Sequence, residues 1–305
     1  MERNQTPPPP TSPTPEPNDD DPCRLEVTDV AIDGVTLLIC LCGLLGNGAV
    51  LWLLGCHIKR NPITTYILNL AVADFTFLLF TVISSILYMI ENISCSTAVS
   101  LTYMRSLFLL SLFSYNMGLY LLTAISIERC VSILCPLWYR CRRPHCLSAL
   151  MCVLLWALSI TVIAVVTSLC LLHDHEVCQV ALISMYALSF LIFAPPMVIS
   201  NMILFIKVLC GSKRRQPKRL YIVIFLTVLF FLIFGVPLSI WSFLQQFSYS
   251  FLTNQVVFLL ACINSSINPF IYFLVGSCHR HCSLVSLQVA FQRVFEEAAL
   301  TMTFS

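Results

Sequence analysis

Apolar residues run through this chain in blocks too long for the core of a soluble domain. Windows of about 20 mostly apolar residues, the length needed to cross the hydrocarbon of a bilayer, fall at 31–56, 63–90, 100–131, 146–170, 179–209, 219–244 and 254–275. The third and fifth exceed that length and are expected to tilt or to protrude into water. Seven helices fill nearly the whole of the chain and leave no room for a separate soluble domain. The pattern predicts an all-α membrane protein, a seven-transmembrane helix bundle over 31–276. It is preceded by an extracellular tail over 1–30 and followed by a short amphipathic juxtamembrane helix and tail over 277–305.

Composition agrees: 58% of the 305 residues are hydrophobic and 10% charged, against about half and a quarter in soluble domains. Lys and Arg orient the bundle. Lys59, Arg60, Arg129, Arg140, Arg142, Arg143, Lys207, the cluster Lys213 to Arg219, Arg280 and Arg293 fall on one side; only Arg3, Arg24 and Arg105 fall on the other. The positive-inside rule puts the C-terminus in the cytoplasm and the N-terminus outside. The Pro-rich start (Pro7 to Pro10, Pro13, Pro15, Pro17), followed by Asp19-Asp20-Asp21, cannot build a core. It lacks the pattern of a cleaved signal peptide, so the first span is expected to be an uncleaved anchor. Glycosylation sequons at Asn4 and Asn92 lie on the outer side; a third match at Asn264 lies within a span.

Of 16 cysteines, only Cys23, Cys95, Cys170 and Cys178 lie on the oxidising side. Four cysteines allow three pairings and sequence alone does not choose among them. Short spacing favours Cys170 with Cys178, leaving Cys23 and Cys95 paired or free. Cys278-His279-Arg280-His281-Cys282 has metal-ligand residue types, but structural zinc ligands usually come as two spaced pairs. A juxtamembrane segment with Cys278 and Cys282 open to S-acylation is preferred. His173 to Glu176 is taken as a solvated loop, so no metal site is expected.

Polar residues inside hydrocarbon are costly and should face a bundle interior or a wet cavity. In order they are Asn47 within Gly46-Asn47-Gly48-Ala49-Val50, Asp74 closing Asn69-Leu70-Ala71-Val72-Ala73-Asp74, Glu128-Arg129-Cys130, Trp156, Pro237, and Asn268-Pro269 with Tyr272. Taken together they resemble the rhodopsin-like G-protein-coupled receptors over almost all the chain. Gly118 to Cys130, Pro136 to Pro144 and Val275-Gly276-Ser277 narrow the resemblance to the Mas-related receptors. Three absences agree: no cysteine near Met104, Gly235 where most relatives have a tryptophan switch, and no tyrosine low in the fifth span.

The resemblance implies a cell-surface receptor at the plasma membrane that binds an extracellular peptide or small molecule and activates heterotrimeric G proteins, through Gq and also Gi. It has no catalysis of its own. Glu128 and Arg129 would restrain and release the coupling face, with Pro237, Asn268, Pro269 and Tyr272 as switch elements. Asn47, Asp74, Asn264, Ser265 and Asn268 would form a buried polar network. Relatives hold sodium near the position of Asp74, but Gly118 replaces the serine that many of them supply. The family's bridge between fourth and fifth spans fits Cys170 and Cys178. Arg105, Tyr115 and Trp241 are pocket candidates, with Phe234 beside them. Relatives that sense cationic amphiphiles carry acids where this chain has Val166 and Leu182, and no other acid is counted in the upper halves of the spans. A neutral or acidic ligand is therefore expected, with Arg105 as its partner. The competing class, a small-solute transporter or channel, would require inverted repeats or broken spans with more buried charge. No lysine in 254–275 could hold retinal.

Overall fold

The computed structural model describes residues 27–58, 60–94, 101–144, 146–172, 175–210, 218–244, 254–277 and 288–295. Helices α1 (Val27–Trp52), α2 (Pro62–Ser94), α3 (Leu101–Leu134), α5 (Leu147–Leu172) and α6 (His175–Cys210) carry the first five spans. Helices α7 (Lys218–Phe230) and α8 (Val236–Leu244) together form the sixth, and α9 (Asn254–Ser277) forms the seventh. A short α4 (Pro136–Cys141) lies between the third and fourth spans, and residues 288–295 form a further helix, α10. Seven of these stretches are long and apolar enough to cross a membrane, and no strand occurs among the described residues. The third span is the most enclosed, which makes it the axis around which the others pack.

Local chemistry sets the boundaries. Asn61 caps α2: its Oδ1 accepts from the N–H groups of Ile63 (3.0 Å) and Thr64 (2.9 Å), while its own N–H donates to Thr64 Oγ1 at 2.7 Å. Pro62 takes the first helical position, where its missing N–H costs nothing. In the sixth span Pro237 cannot donate to the preceding turn. The helix opens there into a wide turn, Phe231–Gly235, closed by the N–H of Val236 on the carbonyl of Phe231. Wide turns of this kind absorb the clash that a proline ring makes with the carbonyl four residues earlier. Pro195 and Pro196 lie inside the fifth helix.

Two close approaches depend on missing side chains. A Cβ on Gly43 would run into Ser266 Oγ and, at 2.7 Å, Leu78 Cδ1, so glycine lets the first span close on the seventh. A Cβ on Gly276 would strike the Ala290 backbone, which is how α10 lies flush against the end of the seventh span. The inward face of α10 is Ala290, Phe291, Val294 and Phe295, all buried. Tyr272 meets the rings of Phe291 and Phe295 at 5.9 and 5.6 Å, edge to face. Asn61 Nδ2 donates to the carbonyl of Phe295 at 3.0 Å.

The fifth helix begins at His175, ahead of the predicted 179, because Glu176 supplies an acid to its first turn, where the helix dipole favours negative charge. The tail over 1–26 with Asn4 and Cys23, and residues Cys95, Cys278 and Cys282, lie outside the described residues. So do the side chains of Asn92 and Arg105.

Candidate functional site: a restrained arginine and a buried polar core

Arg129 is only 1% exposed although it stands near the end of the third span. Its Nη2 donates to Tyr139 Oη at 2.7 Å, and Tyr139 donates in turn to Glu128 Oε1 at 2.8 Å. The direct Arg129–Glu128 separation is 3.7 Å. Glu128 is instead paired most closely with Arg143, whose Nη2 lies 2.7 Å from Oε1 and also donates to Ser148 Oγ. The direct pair is therefore the looser contact: adjacent helix residues diverge by about 100°, and the tyrosine hydroxyl fills the gap between them.

Both guanidinium groups also lie over the Tyr139 ring, at 5.6 and 5.1 Å, within cation–π range. Burial pushes the Tyr139 phenol up to about 12, with Arg129 opposing and Glu128 reinforcing the rise. It therefore stays a neutral donor and acceptor at ordinary pH. Tyr66 of the second span faces Glu128 and Ser148, and Tyr221 of the sixth faces Arg129 and Ser132. Sequence reasoning missed Tyr66, Tyr139, Arg143, Ser148 and Tyr221. The stretch Trp138-Tyr139-Arg140-Cys141-Arg142-Arg143 was visible, but nothing in it says that α4 folds back beneath the third span.

Deeper in the bundle, Asn268 Nδ2 donates to Asp74 Oδ2 at 2.8 Å, and Ser265 faces the same carboxylate. Asn47 Nδ2 donates to the carbonyls of Ser265 (2.9 Å) and Gly43 (3.0 Å). The structure brings Asn47, Ser265, Asn268 and Asp74 together, with Asn264 buried in the same span as Ser265 and Asn268 but outside these bonds. Trp156 Nε1 reaches Asn69 Oδ1 at 2.9 Å and ties the fourth span to the second.

Asn268 Oδ1 and Ser114 Oγ are buried with no partner. Gly118 lies against the Leu70 side chain, and Ser114 stands one turn before it in the third span. A carboxylate with several unfilled oxygen donors fits a small monovalent cation. Gly118 itself supplies no ligand. Among the described residues no group of three His, Cys, Asp or Glu could hold a metal ion.

Halfway up, Tyr115 Oη donates to the carbonyl of Gly235 at 2.5 Å and lies 3.1 Å from Ser239 Oγ. Its ring stacks on Phe231 at 5.8 Å. The space that a side chain on Gly235 would need is taken by the Phe231 ring, 2.9 Å from where its Cβ would stand, and the third-span tyrosine stacks on that ring. Phe234 stacks on Phe230 of its own segment at 5.6 Å, and Trp241 meets Phe258 edge-on at 6.5 Å.

A cavity of about 640 Å³ opens between the fourth and fifth spans at the end opposite Arg129. Its walls include Val162, Val166, Val177, Val180 and Met185, with Glu176 the charged residue of its lining. Tyr115 and Trp241 do not line it. The expectation that no acid stands in the upper spans is corrected twice: Asp33 lies at the outer end of the first span, and the earlier start of the fifth helix carries Glu176 into this wall. Cys170 and Cys178 are joined beside it, their Cα atoms 4.3 Å apart.

The family model described as "7 transmembrane receptor (rhodopsin family)" matches residues 46–272. The human protein named Proto-oncogene Mas is 40% identical over 263 residues, covering 84% of this chain and 80% of its own length. The rat Mas-related G-protein coupled receptor member H is 42% identical over 281 residues, covering 89% and 85%. Member X2 of the chimpanzee is 40% identical over 277 residues, covering 86% and 82%. With the arginine, the proline-hinged sixth span and the polar core in place, the chain belongs to the rhodopsin family of seven-transmembrane receptors and, within it, to the Mas-related G-protein-coupled receptors.

Proposed function

We propose that this receptor carries an extracellular signal from a peptide or small molecule to heterotrimeric G proteins of the Gq class and also Gi, with the Arg129 end in the cytoplasm and the Cys170–Cys178 end outside. The observation that carries this reading is Arg129: a permanent charge, 1% exposed, at the end of a span, held by a hydroxyl from a neighbouring loop helix. A buried charge is stable only while its partners stay in place, so releasing it exposes a cation at the membrane surface. Outward movement of the sixth span, hinged at the wide turn before Pro237, would provide the release. Tyr221 on that span faces the same arginine.

The polar core supplies the second state. Each rearrangement of Asp74, Asn268, Asn47 and Ser265 must re-pair every buried group, which favours two discrete arrangements over a continuum. A sodium ion would be held by Asp74, Ser265 and the free oxygens of Asn268 and Ser114, where it would neutralise the carboxylate.

Tyr115 takes the part that a bulky ring plays elsewhere, coupling the middle of the third span to the Gly235 carbonyl.

The test is Arg129→Ala, compared with the parent chain at equal surface expression. Loss of receptor-catalysed nucleotide exchange on the G protein is expected. Undiminished exchange would overturn the reading. A peptide panel scored by calcium release identifies the ligand.

A further inference from the structure

Among the described residues the free cysteines sort by depth. Cys40, Cys130, Cys152 and Cys262 are buried, whereas Cys42, Cys56, Cys135, Cys141 and Cys146 are exposed. Cys42 lies well inside the first span. Cys135 directly follows Leu134, the last residue of the third span, and Cys146 directly precedes Leu147, the first of the fourth. Cys135 and Cys146 are therefore placed by the ends of two helices long and apolar enough to cross a membrane, next to the apolar stretch and outside it.

Their backbones are held as well. The N–H of Cys135 bonds to Val131 O at 2.9 Å and its carbonyl accepts from Tyr139 at 3.0 Å, while the Cys146 carbonyl accepts from Leu150 at 2.9 Å. The thiols of Cys135 and Cys146 are thus exposed on backbone that is itself hydrogen-bonded. Between them α4 exposes Leu137 (76%) and Trp138 (43%), and Cys141 closes that helix. Leu134, at the end of the third span, is exposed beside them.

We propose that Cys135, Cys141 and Cys146 are S-acylation sites that pin α4 to the inner membrane surface beside the Arg129–Tyr139 contact. The inference rests on the orientation given above, since a reducing compartment keeps thiols free of disulfides and supplies the acyl donor. Juxtamembrane cysteines are the usual substrates of this modification. In the reaction the cysteine sulfur attacks the carbonyl carbon of a long-chain acyl-coenzyme A, a new thioester forms, the coenzyme's carbon–sulfur bond breaks, and the proton lost by the cysteine ends on the coenzyme thiol. An acyl chain added at this depth enters the leaflet directly and lays the exposed face of Leu137 and Trp138 against it. The loop that holds Arg129 then becomes anchored from below.

The test uses the full-length receptor in cells, in a Cys278→Ser, Cys282→Ser background, read by hydroxylamine-dependent acyl exchange. The background chain is expected to keep its thioester signal and to lose it when Cys135, Cys141 and Cys146 are also replaced by serine. A background chain without signal overturns the proposal, as does signal persisting in the combined variant through Cys56 or any other thiol. If the combined variant fails to reach the surface, mass spectrometry of the wild-type peptide spanning 134–147 decides, an unmodified peptide counting against. Orientation is tested separately: an impermeant maleimide that labels Cys146 on intact cells would refute the topology instead.

Discussion

Replacing Tyr139 by phenylalanine removes one oxygen atom and keeps the ring that both guanidinium groups lie over. That oxygen accepts from Arg129 at 2.7 Å and donates to Glu128 at 2.8 Å. Hydrogen bonds to charged groups contribute about 1.5–3 kcal/mol each. Glu128 keeps Arg143 at 2.7 Å, so its half of the loss is largely offset. Arg129 is left with Glu128 at 3.7 Å and with Nε already unpartnered. The net destabilisation of the restrained state is therefore about 1.5–3 kcal/mol, a shift of roughly 10- to 150-fold in its equilibrium with the released state. If the released state starts near 1% of the population, it rises to about 10% or more. The assay is ligand-free nucleotide exchange per surface receptor, with Arg143→Ala as a companion that leaves the hydroxyl bridge intact. Basal exchange at or below the parent value, at normal expression, would refute the bridging role. The phenol ionises only near 12, so the parent restraint should show no pH dependence from this group between pH 6 and 8.

Other outcomes follow from the packing. Gly43→Val should lower surface expression and melting temperature, by about 1–3 kcal/mol of overpacking, because the new side chain meets Ser266 and Leu78; an unchanged melting curve would count against the first-to-seventh contact. Tyr115→Phe should cost about 0.5–1.5 kcal/mol through loss of the bond to the Gly235 carbonyl, and should reduce agonist efficacy at full occupancy; unchanged efficacy would remove Tyr115 from the switch. Cys170 and Cys178 should be recovered as one linked peptide without reduction, and Cys170→Ser should destabilise by about 2–3 kcal/mol for a loop of this size; alkylation of both in the native receptor would contradict the bond.

The spans were legible because hydrocarbon demands uniform apolar stretches, and the buried polar residues were legible because that same medium makes them rare. What escaped was placement across the loops. The sequence around Tyr139 announces an aromatic flanked by arginines, yet only the fold of α4 brings its hydroxyl between Glu128 and Arg129. The early start of the fifth helix escaped for a similar reason. Polar His175 and Glu176 interrupt the apolar window, although a helix end accommodates them well. The sequence marked Pro237 as a switch element but not the wide turn before it, since hydrogen-bond register leaves no mark in hydropathy.

The wide turn at Phe231–Gly235 has a further consequence, for chain length. An α-helix turns by about 100° per residue, so deleting one residue from a span swings everything beyond it off its packing face. A turn closed by five-residue spacing contains one residue more than the helix needs. Removing one residue there would return the segment to ordinary helix while leaving Leu220, Val223 and Ile224 below, and Leu238 and Ser242 above, on the faces they already bury. A one-residue gap in this stretch should therefore be far better tolerated than one elsewhere in the sixth span, and natural or engineered variants shortened by one residue should carry the loss here.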